Sequence, residues 1–191
     1  MLDTNWWNQL ESQWKNAFGL AVFRHLNVPS AAELEELYLS SVLRLAGPMA
    51  PYPNMSFELT NLSGISRLHN LEILVVAHQK IKRNEILQSL KALKSLFLFN
   101  NEIESLKGIE ELKYLEQLYV QYNKIDTIGP VKQLTGLKEM YINNNLLTSL
   151  DGLTERHSEN LHVFFCKPND RLAQKEIIHV ENRLGIRCRG L

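Results

Sequence analysis

Residues with the potential for chemistry are few and scattered in this sequence of 191 residues, which has six histidines and two cysteines. His157, His162 and Cys166 form the densest grouping and are residue types that bind zinc. Cys166, however, falls at an inward apolar position of a repeat described below, where a small buried hydrophobic side chain is expected. We therefore interpret this grouping as structural and predict neither a metal site nor a cofactor.

Sequence signatures of common enzyme classes are also missing. The chain has no GxxxxGK[ST] phosphate loop, no GxGxxG after a strand, no HExxH helix and no GxSxG nucleophile turn. We predict that the protein is not an enzyme and has no catalytic residues. An enzyme whose site lies outside these motifs stays an alternative, and such a site would need titratable groups that converge in a pocket.

Charge and hydropathy limit the kinds of partner that this protein can bind. Lysine plus arginine number 21, aspartate plus glutamate number 21, and the formal net charge is zero. A neutral chain lacks the basic field that general nucleic-acid and anionic-membrane binders use. No apolar run is long enough to cross a bilayer, and the first residues lack the pattern of a signal peptide. These features predict a cytoplasmic protein that binds neither nucleic acid nor membrane. A mild basic bias near the end is interpreted as a solvated face: Arg171, Lys175, Arg183, Arg187 and Arg189.

The elements that position side chains follow from a repeat. Apolar residues recur in the middle of the chain at a constant step, with an asparagine at the same slot of each copy. Upstream, Gln79 occupies the asparagine slot and Asn84 replaces an apolar residue. Downstream, the step between copies lengthens by two residues. The three best copies are Leu93, Leu96, Leu98, Asn101 and Ile103; Leu115, Leu118, Val120, Asn123 and Ile125; and Leu137, Met140, Ile142, Asn145 and Leu147.

The pattern LxxLxLxxNxL resembles the leucine-rich repeat family in its 22-residue class, over roughly residues 59 to 171. The flanks are similar to the helical ends of stand-alone bacterial members. This resemblance implies an α/β fold: a curved, right-handed solenoid with a parallel sheet on its concave face and helical caps at both ends. It also implies a bacterial protein that recognises other proteins, or a regulatory subunit of a separate enzyme such as a phosphatase.

The residues themselves favour the same architecture. In LxxLxL, apolar and variable positions alternate, as in a strand with one buried face. Asparagine after the strand can bond neighbouring backbone groups in a turn. Stacked repeats would align these side chains in an asparagine ladder of Asn101, Asn123, Asn145 and Asn169, with Gln79 as a doubtful rung. Glycines and Pro130 in the return segments favour tight turns or 3₁₀ helix.

We divide the chain into a helical N-terminal cap at 1–48, repeats with about five strands at 49–169, and a capping helix with a short strand at 170–191. One amphipathic helix is predicted from Trp6 to Val22. A capping box at Ser30 predicts a second helix from about Ala31, although Leu34 to Leu39 also fits a strand. The last helix is predicted from Leu172 to Leu184, ending at Gly185.

A strand at residues 186–188 would make Cys166 and Cys188 neighbours on stacked strands, close enough for a disulfide. Two reduced cysteines in the core are the interpretation we favour, because two cysteines are too few for a disulfide scaffold.

The variable strand positions should form the concave face. The central outward column reads Val75, Phe97, Tyr119, Tyr141 and Phe165. Exposed aromatic strips are typical of interaction sites, whereas rings that only stack across strands would merely stabilise the sheet. We favour a face that binds a protein or peptide, with a homodimer through this face or a cap as a further hypothesis. The candidate partner-binding residues are Phe97, Phe99, Tyr119, Gln121, Tyr122, Tyr141, Asn143 and Phe165.

Overall fold

A single parallel sheet runs through the molecule, seen in a computed structural model that describes residues 1–190. Its seven strands follow one another in chain order, as a solenoid requires. The predicted fold class, an α/β leucine-rich repeat solenoid with helical caps, is confirmed. The strands are β1 (Val42–Ala46), β2 (Ile73–Ala77), β3 (Ser95–Phe97), β4 (Gln117–Tyr119), β5 (Glu139–Tyr141), β6 (Val163–Lys167) and β7 (Arg189–Gly190).

The register of the sheet is the register of the repeat. Leu96 lies opposite Leu118, and Leu118 lies opposite Met140, so residues at the same position of successive repeats face each other. These inward side chains are completely buried. Because side chains alternate across a strand, the residues between them face solvent. Strands β2 to β6 fall within 49–169, whereas β1 and β7 extend the sheet into both segments predicted as caps.

The asparagine ladder is confirmed. Asn123 donates through Nδ2 to the carbonyls of Leu98 (2.9 Å) and Val120 (3.0 Å), and its Oδ1 accepts the Ile103 N–H (2.9 Å). Asn101 and Asn145 make equivalent bonds. Asn169 donates to carbonyls in the same way, but its Oδ1 accepts the Asn145 N–H. Gln79 also belongs to the ladder, since its Oε1 accepts the Leu59 N–H and its Nε2 donates to the Leu45 carbonyl. Each rung therefore pairs buried backbone groups of neighbouring repeats.

The return segments contain short 3₁₀ helices, as the glycine and proline positions predicted. Gly108 has φ +103°, a backbone conformation that residues other than glycine rarely adopt. The 3₁₀ helices are Ser63–Ile65, Glu85–Ser89, Ile109–Glu111, Gly129–Gln133 and Glu155–His157.

The N-terminal cap corrects one prediction. Instead of one helix there are α1 (Thr4–Gln9), α2 (Ser12–Phe18) and a π-helix (Gly19–Phe23). The chain turns at Leu10, which is extended (ψ 143°), and the break lets Trp6, Trp7 and Trp14 all be buried. Helix α3 (Ala31–Leu39) begins with the predicted capping box, so Leu34 to Leu39 is helical and the first strand follows it.

Trp14 locks this cap onto the first repeat. Its indole Nε1 donates to Asn61 Oδ1 (3.1 Å), and its ring lies so close to Gly64 that a Cβ there would be 2.1 Å from Cδ2. Glycine is therefore required at this contact.

The C-terminal cap also differs in detail. Helix α4 (Gln174–Arg183) starts two residues later than predicted, and Gly185 (φ +68°) follows its end as expected. The predicted strand at 186–188 is wrong, because the Cys188 N–H bonds the Glu181 carboxylate (3.1 Å) instead of the sheet. Strand pairing starts at Arg189, opposite Phe165. In the described chain, none of the helices has the length and hydropathy of a membrane span.

Candidate partner-binding face

Four aromatic rings form one continuous stack across the exposed face of the sheet. The ring centroids are 4.7 Å apart from Phe97 to Tyr119, 4.3 Å from Tyr119 to Tyr141, and 4.7 Å from Tyr141 to Phe165. The last two pairs are nearly parallel, at 13°. All four rings are half-buried, while the inward leucines are fully buried. The predicted outward position of this aromatic column is confirmed, and its rings also stack on one another.

Hydrogen bonds fix the polar groups of the face. The Tyr119 hydroxyl donates to Glu139 Oε2, and Ser95 Oγ donates to Gln117 Oε1 (2.7 Å). Burial, and then the bond to the Glu139 carboxylate, raise the pKa of Tyr119 above its ordinary value. The phenol therefore stays protonated at neutral pH and is held in one orientation.

The column ends at a cation. The Arg189 guanidinium lies 5.9 Å from the centroid of the Phe165 ring and donates to the His162 carbonyl (3.1 Å). Such a placement over a ring face is favourable. Sequence reasoning missed this contact, because it placed the last strand three residues too early. The signal in the sequence that could have indicated this contact is Phe165, the aromatic residue of strand β6.

The second outward column is uneven. Phe99 and Gln121 are half-buried, as an exposed face requires. The prediction that Asn143 presents its amide at the surface is wrong: the residue is completely buried, and neither Oδ1 nor Nδ2 has a hydrogen-bond partner within residues 1–190. Its side chain is shorter than those of Gln121 and Lys167, its neighbours in the column. A short side chain flanked by two longer ones is shielded from solvent.

Two residues border this column. Tyr122 is 44% exposed and adopts φ +58°, a left-handed conformation. His78 packs edge-on against Phe99, with ring centroids 5.6 Å apart, and burial lowers the pKa of His78. The face continues past β2 to β1, where Val42 and Arg44 are exposed, so the N-terminal cap does not cover this end.

Titratable groups on the face do not converge. Glu139 lies in β5, Lys167 ends β6, and His78 follows β2, three strands before Glu139. Across residues 1–190, no three histidine, cysteine, aspartate or glutamate side chains are placed to hold one metal ion. This arrangement suits contact with a partner better than acid–base chemistry.

The proposed structural role of the histidine and cysteine grouping agrees with its contacts. His157 is buried in a return segment, where Nδ1 accepts the Thr154 N–H (3.1 Å) and Nε2 lies 3.3 Å from the Val131 carbonyl. His162 is exposed, whereas Cys166 is buried.

Cys166 and Cys188 are free buried thiols. The neighbouring Cys188 thiol, and then burial, raise the pKa of the Cys166 thiol, which makes it a poor nucleophile.

Comparison with known proteins identifies the repeat. Residues 91–133 match the family described as Leucine Rich repeats (2 copies), and this segment includes Phe97, Phe99, Tyr119, Gln121 and Tyr122. Residues 91–133 are thus identified as leucine-rich repeats. No curated protein sequence matches it significantly.

Solved structures of other leucine-rich repeat proteins share the fold. An internalin of Listeria monocytogenes has 20% identity and a TM-score of 0.64, covering 85% of this chain and 50% of the internalin. A leucine-rich repeat protein of Leptospira interrogans has 24% identity and a TM-score of 0.66, covering 85% of this chain and 40% of the other. The chain thus spans half or less of the length of these two structures. At such low identity, the likeness shows the fold.

Proposed function

We propose that this leucine-rich repeat protein is a non-catalytic scaffold that binds a protein or peptide partner on the concave face of its sheet. The leucine-rich repeat fold is one that serves protein interaction, and the apolar frame of each repeat is committed to the core. The observation that carries the proposal is the stack of Phe97, Tyr119, Tyr141 and Phe165, half-exposed on the face of the sheet.

The stack suits binding because it is already ordered. Each ring is held by its neighbours, and Tyr119 is also held by Glu139. A rigid aromatic surface loses little side-chain entropy when a partner covers it, which raises the affinity available from a given contact area. Tyrosine is moreover enriched among the residues that dominate binding energies.

Phe99, Gln121 and Tyr122 extend the proposed site beside the stack, whereas Asn143 is buried and is left out of it. Ring stacking alone would contribute about 0.2–1 kcal/mol per cross-strand pair to sheet stability. The stabilising role and the binding role are therefore separable, because the first affects unfolding and the second affects capture of a partner.

The test is affinity capture from the native cell with the wild type and with Tyr119→Ala/Tyr141→Ala, followed by quantitative mass spectrometry. A matched control replaces two exposed tyrosines elsewhere, Tyr52→Ala/Tyr114→Ala, which are 82% and 69% exposed. We expect the stack variant, checked for folding by circular dichroism, to lose partners that the control retains. Retention of every partner by a folded stack variant contradicts the proposal.

The same wild-type and variant proteins distinguish self-association from binding of a separate partner. Light scattering of the purified wild type that shows a dimer, lost in Tyr119→Ala/Tyr141→Ala, would make a second copy the occupant of the face and overturn a separate partner. The cytoplasmic location and the bacterial origin stay predictions; both structural relatives come from bacteria.

A further inference from the structure

The end of the aromatic column opens into a basic pocket. An open depression of about 530 Å³ lies where β6 meets β7, and it is lined by Phe165, Lys167, Arg187, Cys188, Arg189 and Gly190. Three of these six residues are cationic and none is acidic. The pocket is thus continuous with the ring stack through Phe165, the last ring of that stack.

Several lysines elsewhere in the solenoid are paired with acids. Four of them bind the glutamate at the same position of the preceding repeat, with N–O distances of 2.6–2.9 Å. The four pairs are Lys80–Glu58, Lys94–Glu72, Lys124–Glu102 and Lys138–Glu116.

Lys167, Arg187 and Arg189 differ from these lysines. Within residues 1–190, none of the three forms an ion pair with a carboxylate. Glu181 contacts this segment by accepting the Cys188 N–H, but it does not line the pocket. Neighbouring cations that lack an acidic partner within the described residues repel one another, so an anion bound among them would relieve that repulsion.

We propose that this pocket binds an acidic side chain of the partner peptide, whose apolar residues lie along the ring stack. This inference rests on the proposed function. Guanidinium groups suit carboxylates because their planar donors match the two oxygens, and Arg189 is already held in place by Phe165 and the His162 carbonyl.

A short acidic peptide fits the charges better than a nucleic acid does. The basic residues occupy one end of the face, and Glu139 lies on β5, two strands from Arg189 on β7. A long polyanion would be repelled by the Glu139 carboxylate and would cover the apolar front of the face. A peptide with one acidic side chain beside apolar residues avoids both. The proposal gives Arg187 and Arg189 a binding role, whereas the sequence-based interpretation assigns them to a solvated face.

The probe is a set of peptides selected by the wild type from a random phage-displayed library. We expect selected peptides to combine aromatic or aliphatic residues with aspartate or glutamate. The strongest binder is then synthesised with its acid and with the matching amide, Glu to Gln or Asp to Asn. For the wild type, calorimetry should show about tenfold weaker binding of the amide form.

The matched protein variants are Lys167→Gln/Arg187→Gln and Lys107→Gln/Lys132→Gln. Each removes two exposed or half-exposed charges, and none of these four side chains makes a described hydrogen bond or ion pair. The pocket variant should bind the acidic and amide peptides within about twofold of each other. The control should discriminate between them like the wild type.

The outcomes separate the two proposals. If binding requires Tyr119 and Tyr141 but ignores both the peptide acid and Lys167→Gln/Arg187→Gln, the basic pocket is refuted and the proposed function stands. If no peptide is selected, or binding is unaffected by Tyr119→Ala/Tyr141→Ala, both are refuted. Tighter binding of single-stranded oligo-dT than of the selected peptide would also overturn the acidic-peptide inference.

Discussion

The asparagine slot of each repeat connects one residue type to the stability of the whole stack. Its amide pairs backbone groups that strand geometry alone leaves without partners. The slot could be predicted because asparagine recurs there in four successive repeats, with Gln79 in the repeat before them. The backbone conformation of the residue before the slot could not be predicted. Four such residues have φ between +54° and +58°: His78, Asn100, Tyr122 and Asn144. Asparagine tolerates this conformation, but histidine and tyrosine adopt it here too, so the repeat imposes it and it leaves little trace in the sequence.

Asn123→Ala should destabilise the protein by about 1–3 kcal/mol, because it leaves the buried Ile103 N–H without an acceptor. The Leu98 and Val120 carbonyls lose one bond each but keep those from Asn101 and Asn145. Urea denaturation measures the effect, and Asn182→Ala on the exposed face of α4 is the control. An effect below about 1 kcal/mol for Asn123→Ala would show that the ladder is not what holds these turns.

The two cysteines give a second prediction about individual residues. Because Cys166 and Cys188 are buried free thiols, native protein should react slowly with a thiol reagent, and both cysteines should react once it is unfolded. Unfolded Cys188→Ser should show one thiol. Detection of no thiol in unfolded, unreduced protein would mean that a disulfide joins them.

At the scale of elements, periodicity decided what could be predicted. Strands β2 to β6 follow the apolar frame, since a one-residue slip would expose every leucine. The caps lie outside that frame, and there the helix break at Leu10 and the true position of β7 were missed. Both depend on side-chain contacts outside the repeat pattern: Glu11 bonds the distant Asn61 and Ser63, and Glu181 bonds the Cys188 N–H. For the same reason, the ring stack could be predicted but the basic pocket at its end could not.

The start of α3 predicts a specific pH dependence. The bond to His25, and then those to Ser30, lower the pKa of Glu33 from 4.5 to about 2. A carboxyl whose pKa is lower in the folded state contributes stability above its unfolded value, and that contribution is lost as the pH falls from about 4.5 toward 2.

Thermal denaturation at a series of pH values tests this effect with Glu33→Gln, which retains a side chain able to complete a capping box. Between about pH 5 and 2, the Tm of the wild type should fall more steeply than that of Glu33→Gln, and the two curves should converge at the acidic end. Parallel curves would show that the Glu33 contacts do not persist in solution.

For the whole molecule, the caps and the repeats share one core. A single cluster of buried apolar residues extends from Leu2 in the first cap to Cys188 in the second. The tryptophans Trp6, Trp7 and Trp14 all lie in the N-terminal cap, so tryptophan fluorescence reports on that cap, whereas far-ultraviolet circular dichroism reports on the entire chain.

Unfolding followed by these two signals should give coincident transitions in denaturant, because Trp14 is bonded to Asn61 and packed on Gly64. A fluorescence transition at clearly lower denaturant than the circular dichroism transition would show that the cap unfolds on its own. Nearest-neighbour contacts between repeats would then fail to couple it to the rest of the solenoid.

Site-specific photo-crosslinking tests the central claim, recognition on the ring-bearing face, most directly. The photoreactive residue p-benzoylphenylalanine is placed at Phe99 beside the stack, and at Tyr114, which lies outside it and is 69% exposed. Irradiation in the native cell should covalently trap a partner protein from position 99 and none from position 114. Trapping of the partner from position 114 with none from position 99 would contradict the account.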